Sequence, residues 1–205
     1  METTSLAQFL RTHVSAGDLV IVEYPSTYPL ENLVWGELVP SLSGHEILID
    51  DFFGVGDLLF RDYIRKSPPE KYKLLMELTK RIKAIRIGPG RTSYASIVEE
   101  IPTTYDIPEF MKNYYDALTK ISSPSTKIEY LMTLGISQYV YFGGDRALRA
   151  ILFTRSMLPF EDWTSIYFVN SDIMNKQQIA IFRELASKVI KVKKEEHHYK
   201  LEIEE

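Results

Sequence analysis

The chain contains no cysteine, which excludes disulfide bridges, thiolate metal sites and cysteine nucleophiles together. Amides are scarce as well: four Asn and four Gln stand beside 24 Lys+Arg and 28 Asp+Glu. That balance follows the compositional bias of hyperthermophile proteins. No apolar run reaches the ~18 residues of a membrane-spanning helix. The stretch from Met1 to Leu6 has neither the basic end nor the apolar centre of a secretory leader. A formal net charge of −4 gives no electrostatic pull toward nucleic acid or an anionic membrane. These absences lead to the expectation of a cytoplasmic protein with no membrane partner and no nucleic-acid partner.

What is present is a globular composition: 45% hydrophobic and 25% charged over 205 residues, enough chain for one large core without covalent staples. No repeat period, low-complexity tract or long linker interrupts it, so residues 1–205 are expected to form a single domain.

Along the chain, apolar runs rich in β-branched residues alternate with segments of helical period. Ser5 to His13 reads as a short amphipathic helix stopped by Gly17. The run from Leu19 to Tyr24 suits a strand buried on both faces. After a turn from Pro25 to Pro29, a helix is expected from Leu30 to about Leu38. A second strand runs from His45 to Asp51, and helices follow near Asp57 to Arg65 and Glu70 to Arg81. A third strand, Lys83 to Ile87, is closed by the turn from Gly88 to Arg91, and an extra short strand fits around Ile97. Ile107 to Ile121 carries the clearest helical spacing. Ser122 to Thr126 reads as a surface turn and Lys127 to Leu134 as a fourth strand. A helix is expected near Asp145 to Met157, set between Gly143-Gly144 and Pro159. A strand from Ser165 to Val169 and a helix from Lys176 to Lys188 complete the alternation. The tail then alternates with period two on either side of a break near Glu196 and His197, the pattern of an antiparallel hairpin. The fold class expected is α/β: a mostly parallel sheet with helices on both faces and a C-terminal antiparallel β-hairpin at the sheet edge.

A helix, Gly17-Asp18, an apolar strand, a Pro-Ser turn and then a helix resemble the opening of RecA/KaiC-like ATPase cores, and the closing elements from Thr164 onward resemble their end. The resemblance covers most of the chain in order and spacing, though few individual residues. The chain is also similar to a small uncharacterised family of hyperthermophilic archaea. The resemblance implies a three-layer fold whose first turn would be a glycine-rich phosphate loop carrying a lysine and a threonine. Here Glu23 to Glu31 holds no glycine and two prolines, so converging backbone donors are missing. Leu30 stands at the lysine position and Glu31 at the threonine position. The apolar stretch from Ile128 to Gly135 ends without the metal-binding aspartate. Conventional Mg-ATP hydrolysis is therefore not expected.

In open α/β sheets ligands sit beyond the carboxyl ends of the strands. That edge is expected to gather Glu23, Tyr24, Asp50, Asp51, Arg91, Asn170 and Asp172. They would offer either a polar ligand pocket or ordinary turn-making and helix-capping groups. Asp50 and Asp51 are adjacent, yet neighbours on a strand point to opposite faces. His197 and His198 lie in the hairpin without partners at metal-ligand spacing, and His13 and His45 are isolated. No nucleophile elbow or triad pattern appears. No catalytic residue, metal or cofactor is assigned. Of the aromatics, 13 Tyr, 10 Phe and 2 Trp, the groups Tyr114-Tyr115 and Tyr139 to Phe142 read as core margin or as interface anchors. The function expected is a non-catalytic binding or assembly module with a protein partner or self-association. The alternative is a small-molecule or nucleotide-binding protein, or an enzyme, working in the strand-end crevice.

Overall fold

A computed structural model describes residues 5–121, 128–158, 162–196 and 198–204. The continuous apolar runs become the middle of the sheet. Every residue of β1 (Leu19–Tyr24), β2 (Ile47–Phe52) and β6 (Thr164–Asn170) is buried, as strands covered on both faces must be. With β3 (Ile82–Ile87), β4 (Ser96–Ile101), β5 (Tyr130–Leu134), β7 (Lys188–Glu195) and β8 (His198–Glu204), they form one sheet in the order β4-β3-β2-β5-β6-β1-β7-β8. All neighbours run parallel except the antiparallel pair β7–β8 at the edge.

Strand alternation divides the core in two. Val20, Val22 and Tyr24 face one layer with Ile47 and Ile49, against Leu6, Phe9 and Leu10 of α1 (Leu6–His13). Trp35, Phe60, Tyr63 and Leu75 complete this layer, drawn from a π-helical segment (Asn32–Leu38), α3 (Val55–Lys66) and α4 (Pro69–Thr79). Leu19, Ile21, Leu48 and Phe52 face the other layer. It is built from α5 (Ile107–Ile121), α6 (Ile136–Met157) and α7 (Lys176–Leu185). The expected fold class is the observed one.

Several boundaries move for identifiable reasons. The helix expected from Leu30 is π-helical from Asn32, with the Val39 amide donating to Val34; it runs into the short α2 (Val39–Ser41). β2 starts at Ile47 rather than His45, α4 spans Pro69–Thr79 rather than Glu70 to Arg81, and α7 ends at Leu185, short of Lys188. The extra strand around Ile97 exists as edge strand β4.

The largest correction is a helical segment before Gly143-Gly144: α6 starts at Ile136, ahead of the helix expected near Asp145, which is present as its second part. Ile136, Tyr139 and Val140 bury one face of its first turns, and at Gly144 the backbone leaves helical angles (φ 56°, ψ −140°), so that α6 is two helical parts meeting at a sharp kink. A glycine pair can mark a bend inside a helix as readily as an end. The expected turn Ser122 to Thr126, Lys127, Pro159 and His197 lie outside the described residues. Among the described residues no helix is long and apolar enough to cross a membrane.

Candidate functional site

Because β1, β2, β5 and β6 are parallel neighbours in the sheet centre, their carboxyl ends share one edge, where ligands of such sheets collect. The turn after β1 is tied shut there. Ser26 donates its amide to Asp172 Oδ2 at 2.7 Å, and its hydroxyl lies 3.1–3.2 Å from the side-chain amide of Asn170. The Tyr28 amide donates to Pro25 and the Leu30 amide to Tyr28, at 2.9 and 2.8 Å. The Tyr199 hydroxyl, from β8, donates to the Thr27 carbonyl. Leu30 is buried in the core beside Leu33 and Val34. Glu31 is also buried, and its Oε1 accepts from Lys66 of α3 at 2.9 Å.

Asp50 and Asp51 diverge, as strand alternation requires. Asp51 points into the α3 layer, where Oδ1 accepts from the Gly56 amide at 2.7 Å and Oδ2 from the Tyr94 hydroxyl at 3.0 Å. It thereby caps α3, whose N-cap residue Gly54 has no side chain to do so. Burial lifts its carboxyl to about 6, against the pull of the Gly56 and Tyr94 hydrogen bonds. Asp50 points into the α5 layer, accepting from the Tyr114 hydroxyl at 2.6 Å and from Thr133 at 3.4 Å. Burial raises it to about 7, against those two hydrogen bonds. Each carboxylate is thus held by a tyrosine from its own layer.

The other anticipated residues do not join them. Glu23 is buried and engaged by Arg183 of α7 through two hydrogen bonds of 2.5 and 2.7 Å. Tyr24 is buried beside Asn170, its hydroxyl pushed up to about 12 by that burial. Arg91 is exposed in the loop after β3, its backbone passing close to Gly54. Asn170 and Asp172 come together with Ser26, where they fasten the turn. His45 pairs with Glu129 at 2.7 Å, and both are partly exposed. Among the described residues no group of three acidic or histidine side chains has the arrangement of a metal site.

Aromatic rings form a further feature of this edge. Tyr141 and Phe142, on the first part of α6, are 65% and 67% exposed, with rings 5.4 Å apart. Phe142 stands edge-on to Phe53 at 5.8 Å. Phe53 follows β2 in the left-handed region (φ 59°), a conformation uncommon for a bulky side chain and associated with functional strain. Tyr105 and Tyr139 pack behind them at 5.2 Å. The result is a shelf of rings at the carboxyl edge. The run from Tyr139 to Phe142 was the available signal, but the left-handed Phe53 has no signature in composition or period.

Residues 8–205 match the family described as Pyrococcus protein of unknown function, DUF257. The chain belongs to that family. No protein of curated function matches the sequence of this DUF257 member. Among solved structures, it is similar to PH0250 of Pyrococcus horikoshii OT3 at 17% identity and TM-score 0.70, covering 90% of this chain and 85% of that one. It is also similar to the uncharacterized protein PH0321 of Pyrococcus horikoshii, solved in complex with an unknown peptide. That match has 11% identity and TM-score 0.63, covering 96% of this chain and 87% of that one. The KaiC-like protein PH0186 of Pyrococcus horikoshii OT3 matches at 13% identity and TM-score 0.54, over 92% and 77% of the two chains. At these identities the similarity is one of fold, and this member of the DUF257 family has a RecA/KaiC-like core.

Proposed function

We propose that this chain is a protein-binding module on a RecA/KaiC-like core, which docks a peptide segment of a partner and does not hydrolyse ATP. The observation that carries the reading is the exposed pair Tyr141–Phe142 at the carboxyl edge of the sheet, braced by Phe53. Large aromatic rings are the side chains that dominate binding energy at protein interfaces, and exposed apolar side chains that adjoin one another, rather than standing singly, mark interaction sites. Phosphate binding has little support at the turn after β1. Pro25 and Pro29 lack amide protons, the amides of Ser26, Tyr28 and Leu30 are already donated within the protein, and the Glu31 carboxylate would repel phosphate. A crevice enzyme using Asp50, Asp51 and Arg91 finds no support either, since the two carboxylates face opposite layers. PH0321, which shares the fold, was solved in complex with an unknown peptide, and that favours a peptide as the occupant. On this reading residues 1–205 work as one domain in the cytoplasm.

Selection from a displayed random-peptide library tests it. Peptides with an aromatic or aliphatic anchor should be enriched and lose at least about tenfold in affinity, roughly 1.4 kcal/mol, on Phe142→Ser. The same peptides should bind a Ser26→Ala variant unchanged. Enriched peptides indifferent to Phe142→Ser, or none enriched at all, would overturn the docking site.

A further inference from the structure

Asp50 takes no part in the docking surface, yet its surroundings set it apart. It is 3% exposed, and while Oδ2 accepts from Tyr114 and Thr133, Oδ1 has no hydrogen-bond partner. An internal cavity of about 10 Å³ opens beside it, lined among others by Tyr114, Thr133, Thr154 and Tyr167. That is close to the smallest space that admits a single water. Of the titratable and charged groups around it, α5 contributes Tyr114, β6 contributes Tyr167, and Asp51 lies behind on the other face of the sheet. The guanidinium of Arg155, on α6, acts on both tyrosines and hydrogen-bonds to Ser165 and the Gly17 carbonyl. Among the described residues no ion pair reaches Asp50. An isolated buried carboxylate is costly to ionise, and an ionised one needs water drawn to it.

The rings beyond Tyr114 lead outward without a gap. Tyr114 stacks on Phe110 at 5.9 Å, Phe110 meets Tyr139 at 5.4 Å, Tyr139 meets Phe53 at 6.4 Å, and Phe53 meets exposed Phe142 at 5.8 Å. The column begins at the buried carboxylate and ends at the shelf.

We propose that Asp50 is a proton-linked latch on α5. Protonated, it keeps the cavity dry and leaves α5 against the sheet; ionised, its buried Oδ1 has no donor, a cost that outweighs the stronger bond from Tyr114, so it draws water in and loosens α5 together with the ring column that carries the shelf. The latch regulates the docking surface proposed above and rests on that reading only for its consequence. Its own operation is read without any ligand. The raised carboxyl of Asp50, near 7 through burial, puts the change close to neutrality.

Amide hydrogen exchange of residues 107–121 and 139–143, corrected for the intrinsic base-catalysed rate, tests it. Opening that releases one proton rises ~tenfold per pH unit below the closed-state midpoint and levels above it. Exchange from α5 in the native protein should therefore climb from about pH 5 and level near pH 7, with residues 139–143 following. Asp50→Asn should flatten the dependence and Asp51→Asn should leave it. Tyr114→Phe keeps the ring and deletes a hydrogen bond that favours the ionised form, so it should move the levelling point to higher pH. A pH-independent native protein, or an Asp50→Asn variant that keeps the native profile, would overturn the latch. Should Asp50→Asn not fold, an unmoved levelling point in Tyr114→Phe would do the same. If α5 responds while residues 139–143 do not, the coupling to the shelf is overturned. A failed peptide selection leaves all these readings as they are, so the two proposals fail separately.

Discussion

Two carboxylates adjacent in the chain, Asp50 and Asp51, enter opposite layers of the core, and both are raised above the ordinary carboxylate range by burial. The consequence for stability has a definite sign. In the unfolded chain both ionise near 3.8; folded, they hold their protons to about 7 and about 6. Between those values the folded state binds more protons, so their contribution falls as pH rises from about 4 to about 7 and is level above. Asp57 works the other way: its carboxyl is lowered by hydrogen bonds from Ser93 and by Arg61, despite the opposing desolvation. The comparison must therefore be made against a variant. Asp50→Asn should gain on the native protein by up to a few kcal/mol between about pH 5 and pH 8, read as the difference in denaturant midpoint at each pH. A constant difference across that range would mean Asp50 does not titrate there. The divergence of this pair was legible in the sequence, because alternation along a strand is unconditional. The tyrosines that receive them, Tyr94 and Tyr114, were not, because both come from distant segments.

At the scale of elements, helix α6 holds the shelf in place. A Cβ at Gly143 would meet the Tyr105 ring at 2.2 Å and the Ala147 methyl at 2.6 Å, so Gly143→Ala should force helix or ring to shift. Thermal unfolding should show a loss of roughly 1–3 kcal/mol, with altered near-ultraviolet dichroism from the tyrosine cluster. A variant as stable as the native chain would mean that α6 and the Tyr105 loop are not in close contact. Helix α7 is tied to β1 by Arg183, which engages buried Glu23 and also pairs with Glu204 at 3.1 Å. Arg183→Ala leaves the Glu23 carboxylate buried without its partner. The cost should be roughly 2–4 kcal/mol, moderated by the partial exposure of the arginine; a chemical denaturation midpoint reads it. The strands were legible as elements, because runs such as Leu19 to Tyr24 are apolar on both alternating faces and too short for core helices. The first half of α6 was not, because Gly143-Gly144 reads locally as a stop and only the packing of Ile136, Tyr139 and Val140 carries the helix back to Gly135.

At the scale of the molecule, the fold is RecA/KaiC-like, while Pro25 and Pro29 in the turn after β1 carry no amide proton and the amides of Ser26, Tyr28 and Leu30 are donated within the protein. The missing glycines could be read from Glu23 to Glu31. How the turn is held, by Asn170 and Asp172 from the end of β6 and by Tyr199 from β8, could not, since all three lie more than a hundred residues away in sequence. The account stands or falls on whether nucleotide still binds. The direct measurement is unfolding in denaturant with and without ~1 mM ATP, ADP or AMP, each with and without Mg²⁺. A site with a Kd of about 10 μM would add about 2.7 kcal/mol of stability at that concentration. The account predicts no shift with any of the six combinations. A stabilisation of that size with Mg-ATP would contradict it and return the turn after β1 to the list of ligand sites.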